Sequence, residues 1–261
     1  MLLEGKTAMV YGGSGAVGGA VAKAFAREGA RVVLAARRHG PLEAIAAEIT
    51  SAGGEAHATT VDATDLAAVE AHIGDVARRF GPVKIAFSAI DWGDSQGQPL
   101  VEMTVDRFLR PIQTALTSWH NVGRTAARHM RAHGGGVILG FTANAGREAY
   151  NNVGGFGVAC AAVEHFLRQL AVENGQFGVR CCWVRSPGSP DSPGVREVWQ
   201  MHADSRGLSF EEVHREFAKD TPLRRIASLN QVADAAVLLA SDLASSMTAT
   251  MANTTGGAQV D

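Results

Sequence analysis

The sequence predicts a doubly wound α/β fold: an open parallel sheet of about seven strands with helices on both faces. Three observations carry this. Short apolar runs alternate with helix-spaced apolar stripes along the whole chain. Several of those runs are continuously apolar, as strands covered on both faces must be. The first run, Thr7–Tyr11, enters the turn Gly12-Gly13-Ser14-Gly15-Ala16-Val17-Gly18, and an alanine-rich helix follows.

Each element has a local reason. The first helix carries Val17, Ala20, Val21, Ala24 and Phe25 on one stripe, and Gly29 ends it. Arg31–Ala36 is the second strand, and Pro41 suits the first position of the next helix, which carries Leu42, Ile45 and Ile49. Ala56–Val61 is a third strand, after which Asp65 is placed to cap a helix through Leu66, Val69, Ile73 and Val76. Val83–Ser88 is the fourth strand. A long helix over Asp106–His133 stops at Gly134-Gly135-Gly136. Val137–Thr142, the helix Phe156–Asn174 and the strand Val179–Val184 continue the alternation. Adjacent Cys181 and Cys182 point to opposite faces of that strand. Residues 189–225 break the rhythm with two short amphipathic helices, the second opened by the capping box Ser209-x-x-Glu212. Val232–Ser241 is the last helix and Thr250–Thr254 the last strand. No repeat divides the 261 residues, so a single domain over 1–261 is expected, with 189–225 inserted as a lid over the binding crevice.

Composition excludes several classes. A net charge of −2 with no Lys/Arg cluster argues against nucleic acid as partner. No apolar run approaches a membrane span, and the first strand begins too early to leave room for a signal peptide. Cys160, Cys181 and Cys182 have neither disulfide nor metal-ligand spacing, so the expectation is a cytoplasmic protein without a metal. The glycine turn points to a nucleotide diphosphate: glycines let the backbone approach phosphates, and the helix behind them offers free N–H groups and a positive dipole end. After the second strand stands Ala36-Arg37-Arg38 rather than an acid. Two cations there suit a 2′-phosphate and favour NADP(H), unless both are simply solvated surface residues.

Taken together, the chain resembles the short-chain dehydrogenase/reductases, a family built on the Rossmann fold. The matching features are the glycine turn, Asp62 after the third strand, Thr104-x-x-x-Phe108, Ala161-Ala162-Val163-Glu164 through Leu170-Ala171-Val172-Glu173, Pro187-Gly188 and Leu239-Ala240-Ser241-Asp242. The resemblance implies cofactor contacts from Gly12, Ser14, Gly15, Val17, Gly18, Arg37, Arg38, Asp62, Ala63, Ser88, Ala89, Pro187 and Gly188. It also implies a small-molecule substrate. A homodimer or homotetramer is expected, assembled through Ala115–His129, Phe156–Glu173 and Gly256–Asp261. Asp62 has a competing reading as an ordinary turn residue.

The family's chemistry rests on an Asn, a Ser and a Tyr-x-x-x-Lys. Aligned on the flanking motifs, this chain has Ala115, Ala143, Phe156 and Cys160 at those positions, and Tyr11 and Ala16 depart from the family's glycine turn. Ser88-Ala89-Ile90-Asp91 stands where the family has Asn-Asn-Ala-Gly. Tyr150 is the candidate replacement acid, weighed against a surface tyrosine with a satisfied hydroxyl. Cys160 reads as a nucleophile or, better, as a packed core thiol. Asp91 and Trp92 are expected at the pocket mouth, with Asp91 alternatively capping a turn. The expected function is an atypical NADP(H)-dependent oxidoreductase for a self-activated substrate, an iminium ion or a polarised C=C bond. The alternatives are a dinucleotide-binding pseudoenzyme and a non-redox lyase or cyclase.

Overall fold

Seven strands form the sheet: β1 Thr7–Tyr11, β2 Arg31–Ala36, β3 Glu55–Thr60, β4 Val83–Ser88, β5 Gly136–Ala143, β6 Val179–Ser186 and β7 Thr250–Asn253. They pair in the order β3-β2-β1-β4-β5-β6-β7, and every pairing is parallel. The computed structural model describes residues 1–260, the side chains at 202 and 205 aside. Asp261, the end of the expected assembly segment, lies outside the described residues.

The chain winds outward from β1 to β3, then returns to lay β4 on the other side of β1. The strand order therefore reverses between β1 and β4, where the last residue of β1, Tyr11, pairs with both Ala35 and Ser88. Such a switch point opens a crevice at the carboxyl ends of the strands.

Eight α-helices cover the sheet: α1 Ala16–Arg27, α2 His39–Ser51, α3 Leu66–Phe80, α4 Val105–Ala132, α5 Phe156–Asn174, α6 Pro193–Arg206, α7 Phe210–Lys219 and α8 Leu229–Ala240. Helices α3, α4 and α5 bury their stripes against one face, around Met9, Trp119, Leu167 and Trp183. Helices α1, α2 and α8 cover the other, around Val10, Phe25, Leu34 and Phe87. Cys181 belongs to the first layer and Cys182 to the second, as the pleat requires. Asp65 caps α3, accepting from the N–H groups of Ala67 and Ala68. The Ser209–Glu212 capping box closes in both directions at the start of α7. Helices α6 and α7 hold a small apolar cluster of their own, Trp199, Phe210 and Ile226.

Several boundaries differ from the expectation. Helix α2 starts at His39, two residues before Pro41. Proline is tolerated there because the N–H groups of a first turn have no intrahelical partner. Helix α8 starts at Leu229, because Ser228 and Gln231 form a second capping box ahead of Val232. Strand β6 runs two residues past Val184, carrying Arg185 into the interior, and β7 stops one residue short of Thr254.

One polar pair lies beneath the crevice. The Tyr11 hydroxyl and His72 Nδ1 are 3.1 Å apart and buried between β1 and α3. Burial there raises the Tyr11 phenol and pushes His72 down to about 4. Among the described residues no helix is long and apolar enough to cross a membrane.

Candidate dinucleotide and substrate site

The glycine turn sits at the switch point. Gly12 has φ +75°, a conformation that a Cβ disfavours, and an added Cβ would lie 2.2 Å from the Ala89 carbonyl oxygen. At Gly18 an added Cβ would lie 2.2 Å from the Gly12 oxygen. Both glycines are thus required by the close approach of β1, the end of β4 and α1. Gly15 differs, because a Cβ there would come no nearer than 3.3 Å to Gly12 O. The turn is braced by Gly12 N and Gly13 N, which both donate to Ala35 O, and by Gly15 N, which donates to Gly12 O.

Gly15 caps α1 without a side-chain hydrogen bond. Among the described residues the N–H groups of Ala16, Val17 and Gly18 have no acceptor. Three unpaired donors and the positive end of α1 therefore face the crevice beside Ser14. This donor set fits a diphosphate.

The ribose side is built from the ends of β2 and β3. Arg37 and Arg38 are exposed, and neither forms an ion pair among the described residues. Asp62 Oδ1 accepts from Thr64 Oγ1 at 2.7 Å and from Thr64 N at 2.9 Å. Those hydrogen bonds, with a smaller contribution from the nearby Arg37 charge, hold the Asp62 carboxyl below its usual range. Asp62 thus does serve its own turn, and it also stands beside Arg37. Ala63 is buried, and its carbonyl takes a hydrogen bond from Asn121 at 3.1 Å. Ala89 N donates to Tyr11 O, tying the end of β4 to the glycine turn. Pro187 and Gly188 (φ +98°) lead from β6 into α6 on the same edge of the sheet. Three buried polar atoms without partners belong to segments at the ends of β4 and β5: Ser88 Oγ, Trp92 Nε1 and Asn144 Oδ1.

Ala115, Cys160 and Trp92 are buried in the apolar layer that α3, α4 and α5 form on one face of the sheet, and Ala143 and Phe156, partly buried, pack against it. Helix α5 is held hard against α4 where it begins. A Cβ at Gly155 would lie 2.0 Å from Phe108 O and 3.1 Å from Pro111 Cγ, so this contact fixes Phe156. The Phe156 and Trp92 rings are 5.8 Å apart at 43°. Trp92 is therefore part of the core rather than the pocket mouth, because Phe156 offers an aromatic face to pack on. Asp91 Oδ1 accepts from Gly93 N at 2.9 Å, which makes it the turn cap. Cys160 is fully buried and accepts a hydrogen bond from the Ala143 backbone, and burial pushes its thiol up to about 12. It carries no charge at neutral pH and is a packed thiol.

Tyr150 lies half exposed on the loop before α5, and its hydroxyl donates to Glu148 Oε2 at 2.8 Å. Partial burial and that carboxylate push its phenol up to about 12, against proton donation.

Sequence reasoning missed a buried network between α5 and β6. Glu164 on α5 accepts from Arg185 Nε at 3.0 Å, Arg185 Nη2 at 2.5 Å and Thr142 Oγ1 at 2.8 Å. Arg185 Nη1 also reaches Gln259 Oε1 at 3.3 Å, and Gln259 Nε2 donates to Asn144 O at 2.9 Å. The loop between β4 and α4 carries Asp94. The segment around it is pinned over the start of α5 by Gly97 N donating to Asn152 O at 2.8 Å, and Gln96 Nε2 donates to Asp94 Oδ2 at 2.9 Å. No spacing in the sequence distinguishes Asp94 from Asp91.

A parallel sheet with a glycine turn at its switch point and unpaired N–H donors behind it has the architecture of dinucleotide-binding α/β proteins. The chain belongs to the short-chain dehydrogenase/reductase family of oxidoreductases: the family model described as enoyl-(acyl carrier protein) reductase matches residues 13–259. The cis-4-hydroxycyclohexanecarboxylate dehydrogenase of Sinomonas cyclohexanicum is 30% identical over 252 residues, covering 97% of this chain and 96% of that protein. The actinorhodin polyketide ketoreductase solved with NADPH is similar in structure, with a TM-score of 0.87, 25% identity and 97% coverage of both chains. The 7α-hydroxysteroid dehydrogenase solved with NADH and 7-oxo glycochenodeoxycholic acid has a TM-score of 0.85 and 25% identity, covering 98% of this chain and 94% of that one.

Proposed function

We propose that this chain is an NADP(H)-dependent oxidoreductase for a small substrate that carries its own activation, an iminium ion or a polarised C=C bond. The observation behind this reading is that Ala115, Ala143, Phe156 and Cys160, all uncharged and all in or against one packed apolar layer, stand at the positions that align with the family's Asn, Ser, Tyr and Lys. When bound, NADPH supplies a hydride. The chain's own residues bind and orient: the N–H groups of Ala16, Val17 and Gly18 take the diphosphate, with Ser14 beside them. Asp62 and Ala63 border the adenine, Arg37 with Arg38 takes a 2′-phosphate, and Ser88, Ala89, Pro187 and Gly188 border the nicotinamide half. Phe156, backed by the buried Trp92 ring, excludes water, and residues 189–225 enclose the substrate. None of the four aligned residues moves a proton. Tyr150 is the exposed phenol on the loop before α5, and its engagement with Glu148 leaves it no role in proton transfer.

General acid catalysis contributes typically ~10²–10⁴-fold, so ordinary ketones and aldehydes should be reduced poorly. The test follows NADPH oxidation with a simple ketone, a cyclic iminium ion and an enone. The expected result is turnover only of the activated substrates, unchanged in Tyr150→Phe. Ala143→Ser, Phe156→Tyr and Cys160→Lys installed together should raise ketone reduction, whereas the single changes do little, because residues acting as a unit are non-additive. Robust wild-type ketone turnover would defeat the proposal. NADPH binding without turnover of any substrate would favour the pseudoenzyme reading, to which the missing proton relay also points. We infer further that the protein is a cytoplasmic homodimer or homotetramer joined through α4, α5 and the C-terminal segment. Leu116, Val158 and Val172 on those helices are exposed apolar side chains.

A further inference from the structure

We propose that the protein carries a second anion site, at the amino-terminal end of the sheet and away from the dinucleotide crevice, and that this site takes a phosphate group. Lys84 and Arg180 supply its positive charge, and the Ser245 and Ser246 hydroxyls line its rim. The site stands independently of the reductase function proposed above.

A cleft of about 640 Å³ opens where β1, β4, β5 and β6 begin. Lys84 stands near the start of β4 and Arg180 near the start of β6, with β5 between them: Val137 pairs with both Ile85 and Arg180. The chain enters β5 through Gly134-Gly135-Gly136, so no side chain of that segment fills the space between the two cations. A Cβ at Gly135 would lie 2.3 Å from Gly178 O, and one at Gly134 would lie 3.9 Å from Lys84 Nζ. Backbone carbonyls aim both cations. Lys84 Nζ donates to His133 O at 2.6 Å and to Gly135 O at 3.3 Å, just past the end of α4. At the end of α8, Arg180 Nη2 donates to Leu239 O at 2.8 Å and Ser241 O at 3.4 Å, and its Nη1 donates to Met247 O at 3.1 Å. Ser88, where β4 reaches the crevice, lies roughly 13 Å further along the strand from Lys84, at about 3.3 Å per residue.

The cleft is positive. Lys6 Nζ pairs with Asp242 Oδ1 at 2.6 Å, and those two charges cancel. Among the described residues neither Lys84 nor Arg180 belongs to an ion pair. The carbonyls that hold them, and the helix ends behind those carbonyls, bring only partial negative charge. Donors remain as well. An ammonium has one N–H more than the two carbonyls of Lys84 use, and a guanidinium has more than Arg180 uses. The Ser245 and Ser246 side chains are exposed and make no hydrogen bond among the described residues. A phosphate group suits this set, because it carries about −1.5 to −2 charge at pH 7 and several strong acceptor oxygens. A carboxylate brings less charge and fewer acceptors. The cleft also exceeds what one phosphate fills, which leaves room for the organic part of an ester.

Calorimetry on the full chain with phenyl phosphate, inorganic phosphate and benzoate tests this. Both phosphates should bind and raise the Tm, and benzoate should bind about tenfold more weakly or worse. Added salt should weaken all three. Phenyl phosphate binding more tightly than inorganic phosphate marks an ester as the occupant, and equal affinities mark the free ion; either result supports the site. Lys84→Met should weaken phenyl phosphate about tenfold or more, since a hydrogen bond to a charged group is lost. Ser246→Glu, which sets a like charge on the exposed rim, should do the same. The exposed Lys219→Gln, an equal loss of charge on α7, should leave the affinity unchanged. Phosphate held at the glycine turn instead would be indifferent to both cleft variants. No phosphate binding in the wild type, benzoate bound as tightly as phenyl phosphate, or an affinity that survives Ser246→Glu would each overturn the proposal. Should Lys84→Met fail to fold, Ser246→Glu decides the matter, because its side chain holds no part of the backbone in place.

Discussion

Replacing Glu164 by glutamine keeps the side-chain shape and removes one charge from a pair whose members are each 3% exposed. The carboxylate now accepts from Arg185 through both oxygens and from Thr142 as well. In the variant one of those oxygens becomes an NH₂ group pointing at a guanidinium that stays charged at any working pH. Breaking a buried pair from one side costs about 3–5 kcal/mol. Gln259 offers Arg185 only a long neutral contact, and the Arg168 guanidinium, 3.8 Å from Glu164, adds a second cation nearby. The upper half of that range is therefore expected. At about 2.1 cal/mol/K per residue, 4 kcal/mol lowers the Tm of a chain this long by about 7 °C. Urea denaturation followed by circular dichroism gives the free energy, and scanning calorimetry gives the Tm. The double variant Glu164→Leu with Arg185→Met should recover most of the loss, since an apolar replacement strands no charge. The reasoning fails if Glu164→Gln lies within about 1 kcal/mol of wild type, or if the double variant is no better than the single.

Calorimetry with NADP⁺ and NAD⁺ should show tighter binding of the phosphorylated cofactor, with the preference shrinking in Arg37→Ala; equal wild-type affinities would contradict the assignment. His72 gives a pH dependence of defined sign. Its folded value of about 4 lies below the free imidazole's 6.5, so its contribution is intact above pH 6.5. As pH falls toward 4 the unfolded chain gains the proton first, and roughly 3 kcal/mol is lost. Urea denaturation at pH 7 and pH 4.5 should therefore show wild type losing more stability than His72→Gln, and parallel losses would remove His72 as the cause. Light scattering at micromolar concentration should report a dimer or tetramer, and a monomer would refute the assembly.

The strands and helices were legible because burial on both sides forces continuous apolar runs, and Asp65 and Ser209 announce helix starts by chemistry that is local. Strand β6 shows where this stops. Its apolar run ends at Val184, yet the strand continues through Arg185, because the partner that lets a guanidinium enter the interior lies 21 residues away in sequence. That Ala115, Ala143, Phe156 and Cys160 align with the family's Asn, Ser, Tyr and Lys is an expectation drawn from flanking motifs alone, whereas the place of Phe156 follows from α5 packing tightly against α4 at Gly155. Trp92 looked like a pocket-mouth residue because nothing in its neighbourhood names Phe156 as a packing partner. Asp91 and Asp94 share a loop and a charge, and only the folded backbone turns one onto Gly93 and the other onto Gln96.

The tie between Gln259 and Asn144 spans 115 residues of chain. At about 5–20 residues per second, a ribosome needs on the order of ten seconds between making one and the other. The glycine turn and β1 through β5 emerge early and can settle first. The loop that carries Asn144 then waits, with Arg185 still lacking one of its acceptors, until Gln259 has been made. Gln259 is the last piece of this network to be made. A nascent or clipped chain that lacks Gln259 therefore leaves Arg185 and the Asn144 carbonyl without this tie.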